Sequence, residues 1–152
     1  MKLAEALQER ADLNRKIDEL DSRIRQNVLV QEGEKPNEDP NELFEELKSA
    51  VDRLETLIRQ INFSNCKHTI RGLALTEIIA RKDTLKELYN VYRSALSAAS
   101  QSTSRARGTE IKILPVVDVK KLRGESDEIA KEIRELDNAL QEANWTFDLI
   151  EE

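Results

Sequence analysis

Cys66 and His68, separated by a single lysine in a polar stretch, are the residues most able to do chemistry, because a thiol beside an imidazole can begin a soft-metal site or an activated nucleophile. Neither arrangement is completed. The chain has one cysteine and one histidine, so a tetrahedral zinc site would need carboxylates or a neighbouring subunit to supply its remaining ligands. A catalytic pair would lack an orienting third group and oxyanion donors. Both read as ordinary loop residues. Carboxylates at Glu45, Glu46, Asp127, Glu128, Glu132 and Glu135 are the next candidates, since helical bundles can hold two metal ions between glutamates. Such sites include Glu-x-x-His on inward faces, and with His68 alone that motif is missing. The acids therefore read as a solvated face laced with i,i+4 ion pairs. Ser102, Thr103, Ser104, Arg105, Arg107 and Gly108 have the hydroxyls, guanidinium groups and amides of a phosphate cradle. No Walker or dinucleotide pattern surrounds them, so they read as a solvated linker. No catalytic residue, metal or cofactor is assigned.

Composition narrows the classes further. Of 152 residues, 36% are charged and 4% aromatic, the balance of long helices with thin apolar seams. The length suits a single domain over 1–152. With 24 basic and 30 acidic side chains the net charge is -6, and no gathering of positive charge offsets it, which argues against nucleic acid as a partner. No stretch reaches the roughly 20 apolar residues of a bilayer span. The opening MKLAEALQER is charged and helical in period where a secretory signal needs an apolar core. The expected location is the cytoplasm. On that expectation the sequons Asn62-Phe63-Ser64 and Asn144-Trp145-Thr146 are chance matches.

The elements that would position these residues follow from apolar spacing. Leu3, Ala6, Leu13, Ile17, Leu20 and Ile24 alternate at three and four, an amphipathic helix that fails near Val28 and the polar stretch Glu32 to Asp39. Asp39-Pro40-Asn41-Glu42 announces a second helix, with Asp39 as cap, Pro40 in the first turn and Glu42 completing a capping box. Its seam runs through Leu43 or Phe44, Leu47, Val51, Leu54, Ile58 and Ile61. The period is lost from Asn62 to Gly72, which predicts a loop over 62–72, and a helix resumes near Leu75 or Thr76. Ile78 or Ile79, Leu85, Leu88, Tyr92, Leu96 and Ala99 form the third seam, ended by the small polar run Ser100 to Gly108. A fourth helix begins at its cap Asp118 and carries Val119, Leu122, Ile129, Ile133, Leu136, Leu140 and Ala143 toward Trp145. Trp145, Phe147, Leu149 and Ile150 make an apolar tail that is expected to dock on the bundle end, the alternative being a partner surface.

The expected fold class is mainly α: two long antiparallel helical hairpins, over 2–62 and 73–147, forming a four-helix, coiled-coil-like bundle. Glu110 to Leu114 alternates like a strand and is closed by Pro115. Val28 to Gln31 is its best partner within the chain, giving a minor two-stranded β element, and pairing between subunits is equally open. Helices of ~20 to 28 residues are roughly 30 to 40 Å long, and their seams would bury well between copies, so a homo-oligomer is expected.

The chain also resembles the septicolysin-like family of small, mostly bacterial proteins of unestablished function. The likeness rests on Met1-Lys2-Leu3-Ala4-Glu5-Ala6-Leu7, Arg10-Ala11-Asp12-Leu13, Val30-Gln31-Glu32-Gly33-Glu34, Asp39-Pro40, Leu75-Thr76, Arg81, Asp83, Val117-Asp118-Val119 and Glu142-Ala143-Asn144-Trp145-Thr146. From the matching stretches, a polar binding site would draw on Asn62, Asn65, Arg81, Asp83, Asn144 and Trp145. The family name implies a membrane-active lysin. An acidic bundle without a broad apolar, basically flanked segment argues against that. The leading expectation is a non-enzymatic, self-assembling helical protein of unknown role. The alternatives are a lysin-like protein and a small-ligand binder or enzyme whose site lies between subunits.

Overall fold

A computed structural model describes residues 1–103 and 111–151. The protein is mainly α, and the described residues form four long helices: α1 (Leu3–Asn27), α2 (Pro40–Lys67), α3 (Leu75–Ala99) and α4 (Val119–Thr146). A two-stranded antiparallel sheet, β1 (Thr69–Ile70) and β2 (Leu73–Ala74), stands between α2 and α3. The chain divides into two compact units, Met1–Thr69 with Glu142–Glu152, and Ile70–Gln141. No helix among the described residues is long and apolar enough to cross a membrane.

The first unit is built on α1 and α2. Leu3, Ala6, Leu20 and Ile24 of α1 and Leu43, Ala50, Leu57 and Ile61 of α2 are buried, the three-and-four spacing that turns one face of each helix inward. Ion pairs edge this contact. Going up α1, Glu9 meets Arg53 at 2.6 Å, Lys16 meets Glu46 at 2.9 Å and Arg23 meets Glu38 at 3.0 Å, so the partners descend toward the start of α2. Asn27 ends α1. Its buried side chain donates to the Arg23 carbonyl at 2.8 Å and accepts from the Glu38 amide at 2.9 Å, holding the incoming chain against the helix end. Asp39 caps α2 as expected, but through the Asn41 amide at 2.9 Å. The reaching glutamate of a capping box occurs instead at α1 and α3, where Glu5 and Glu77 accept from the Lys2 and Ala74 amides at 2.6 and 2.8 Å.

The second unit buries Leu75, Ile78 and Leu85 of α3 and Leu140 and Ser126 of α4. Arg81 reaches Glu132 at 2.9 Å, Lys82 reaches Asp137 at 3.1 Å, and the Tyr92 hydroxyl donates to Glu125 at 3.1 Å. That carboxylate raises the Tyr92 pKa, because ionising the phenol would break the bond and set two negative charges together. The expected cap Asp118 accepts from the Lys121 amide at 3.0 Å.

Two expectations are corrected. The loop over 62–72 is mostly helix, since α2 continues to Lys67. The inward line Leu57, Ile61, Ser64 keeps the helical period, but its last member is a serine, so hydropathy alone lost it. The β element is not Val28–Gln31, which is irregular and exposed beyond Asn27. It forms at Ile70-Arg71-Gly72-Leu73, where Arg71 and Gly72 both take positive φ (52° and 84°), the tight turn that matches strand twist. Of the expected strand Glu110–Leu114, Glu110 lies outside the described residues and Ile111–Leu114 is exposed. Of the polar run Ser100 to Gly108, residues 104–108, the larger part of the expected phosphate cradle, also lie outside them.

Replacing Asn27 with Ala leaves the half-buried Glu38 amide without its side-chain acceptor, and should lower the urea-unfolding free energy by about 1 kcal/mol. An unchanged midpoint would remove Asn27 from the structural account.

Candidate functional site

Burial of α2 is offset from its apolar pattern. Leu43, Ala50, Leu57 and Ile61 face inward, whereas Phe44, Val51 and Ile58, each one position further on, are 43%, 44% and 40% exposed. Leu47 and Leu54 lie half-buried between the two lines. The exposed line repeats every seven residues, which keeps a helical stripe facing one partner along its length. Around it an open groove of about 570 Å³ is lined by Val51, Leu54, Glu55, Ile58, Arg59 and Asn62. It has an apolar floor, one acid and one base at its lip, and no group poised for bond chemistry. What it can do is bury apolar surface.

The six expected polar residues are distributed between the two units. Asn62 is exposed on α2 and lines the groove, Asn65 is half-buried one turn later, and Asn144 and Trp145 occupy the last turn of α4, all in the first unit. Arg81 and Asp83 are on α3 in the second unit, and Arg81 is bonded to Glu132 through Nε at 3.1 Å and Nη2 at 2.9 Å. Glu55 and Arg59 also line the groove and are not among the residues that the sequence singles out. Two adjacent apolar lines on one helix, 43-50-57 and 44-51-58, are the signal that would have found them.

His68 and the tail residues have a structural use. The His68 ring stacks on Phe147 at 4.4 Å, 4° from parallel, and its Nε2 lies 2.8 Å from the Asp148 carbonyl. A carbonyl only accepts, so Nε2 carries the proton. The Leu3 amide donates to the Phe147 carbonyl at 3.0 Å, the Leu149 amide to the Met1 carbonyl at 2.9 Å, and the Ile150 amide to the buried Ser64 hydroxyl at 2.8 Å. Lys2 Nζ binds the Asp148 carboxylate at 2.9 Å. Residues 147–150 thus clasp the first turn of α1 and the last turn of α2, and Leu149 is buried there. Trp145 differs from the expected docking, being 65% exposed. Cys66 is an exposed free thiol. No group of three His, Cys, Asp or Glu side chains among the described residues is placed to hold a metal ion.

Residues 10–149 match the model of a family described as "Family of unknown function (DUF6847)". The chain is also similar to a functionally unknown conserved protein from Corynebacterium diphtheriae with a crystal structure, at 32% identity over 99% of each chain and a TM-score of 0.92. No curated protein matches it.

The Lys2 ammonium hydrogen-bonded to Asp148 holds that carboxyl below its ordinary range, and the nearby Lys2 charge adds to the effect. A depressed carboxylate stabilises the fold above its unfolded pKa, and this contribution is lost as pH falls through the native value. Amide exchange at Leu3 and Leu149 should therefore speed up relative to the core on going from pH ~6 to ~2, after correction for intrinsic rates. Asp148→Asn should flatten that dependence, and a profile identical to the parent's would contradict the assignment.

Proposed function

Given that the chain belongs to the DUF6847 family, whose function is unknown, we propose that it is a non-enzymatic helical protein that associates with copies of itself. Its units are antiparallel helical hairpins, a course supported in the first unit by the falling order Arg53, Glu46, Glu38 of the partners met along α1. The observation that carries self-association is the seven-residue stripe Phe44, Val51, Ile58 left exposed beside a fully occupied inner face. Fully burying a large apolar side chain is worth about 1.5 to 3 kcal/mol, and side chains two-fifths exposed would gain a proportionate share of that, about 1 kcal/mol each. A contiguous row of them on one helix is a surface that association stabilises. The groove's lack of a nucleophile, base and oxyanion donors in one place favours packing over catalysis.

Exposed apolar residues elsewhere support the same reading. Val28, Leu29 and Val30 after α1 and Ile111, Ile113 and Leu114 before α4 leave much of their side chains in solvent. Contacts between copies would cover such segments, which lie outside the helices.

Val51→Glu combined with Ile58→Glu tests the proposal. Both positions are exposed, so the variant should keep the parent's helical circular dichroism while sedimenting as a 17.4 kDa species beside a heavier parent. Equal sedimentation of parent and variant would contradict a role for this stripe in assembly.

A further inference from the structure

The α2 stripe also carries information about how a second copy would lie on it. We infer that two copies associate through an antiparallel, twofold pairing of their α2 helices. This rests on the self-association proposed above and adds its geometry.

One flank of the stripe is closed. Leu43, Ala50 and Leu57 border it and are buried against α1. The other flank is open and bears Lys48 and Glu55, both exposed and opposite in charge, seven residues apart. In a parallel pair the open flank of one helix would face the closed flank of the other, and these charges would meet no partner. In an antiparallel pair like flanks face each other. A twofold axis crossing between Asp52 and Arg53 then brings Lys48 of each copy to within two residues, roughly 3 Å along the helix, of the level of Glu55 of the other, a stagger that their long side chains span, forming two identical cross-pairs. Lys48 sits with Glu45 at 2.7 Å within the chain, an exposed contact that is readily exchanged for one between copies.

The same register packs the apolar positions. Val51 meets the second copy's Leu54, Leu47 meets the second copy's Ile58, and symmetry repeats each contact. The half-buried and the exposed line therefore interleave, with a branched side chain from one helix set against a leucine from the other at every central layer. The register set by the apolar layers thus also brings the opposite charges within reach of each other.

Charge reversal tests the geometry with exposed residues, so folding is not at stake. By sedimentation equilibrium of the full chain, Lys48→Glu and Glu55→Lys should each weaken the dimer about tenfold, because each places two like-charge pairs across the axis. The double variant Lys48→Glu with Glu55→Lys should return to within about threefold of the parent. A dimeric parent insensitive to the single reversals, or a double variant no better than the singles, would overturn this geometry and leave self-association standing. A monomeric parent would overturn both.

Discussion

A helix can hide only the arc that its neighbours cover, and α2 carries a wider apolar arc than α1 does cover. Its inner line of Leu43, Ala50, Leu57 and Ile61 is fully used in the first unit. Placing Val51 and Ile58 inward instead would rotate Leu57 and Ala50 toward water, so one chain cannot satisfy both lines at once. The inner line wins because Leu20 and Ile24 of α1 close over Leu43, with Leu47 packed alongside. The ion pairs at Glu9, Lys16 and Arg23 then fix the rotation from outside. Everything proposed about assembly follows from the line left over.

Those ion pairs position more than they stabilise. Glu9, Glu38 and Glu46 are each held below the ordinary carboxylate range, chiefly by the hydrogen bond from Arg53, Arg23 and Lys16 respectively. Exposed pairs of this kind add little to stability in water. Spaced along the contact, however, they penalise any slip of α1 along α2 by breaking three charge-assisted bonds together. The clasp of residues 147–150 works differently. It ties both ends of the chain to the end of α2 with backbone bonds, a buried leucine and the His68 stack, and so turns the residue most suggestive of chemistry into a packing element.

Much of this architecture was legible in the residues. The start and end of α1, the Asp39 and Asp118 caps and the beginning of α3 follow from capping chemistry and apolar spacing, which act locally. What was not legible depended on contacts distant in sequence. Ser64 looked like the start of a loop because its hydroxyl is buried for the sake of Ile150, 86 positions away. Arg71 gave no warning of a tight turn, since a positive φ at arginine is decided by the strands it joins rather than by its own preference. The seam of α2 was recognised as apolar, yet which of two adjacent lines faces α1 is a one-residue choice that spacing leaves open. Of the polar residues expected to form a site, only Asn62 lies in the groove, because residue identity says nothing about which unit a side chain joins.

Whether copies of the chain pair through the exposed stripe is read from the mass of the purified protein in solution. Size-exclusion chromatography with light scattering, at low and at high salt, should give a stable multiple of 17.4 kDa in both. Apolar burial survives the screening that weakens its flanking charge pairs. A single species of 17.4 kDa at micromolar concentration in either condition would contradict the account.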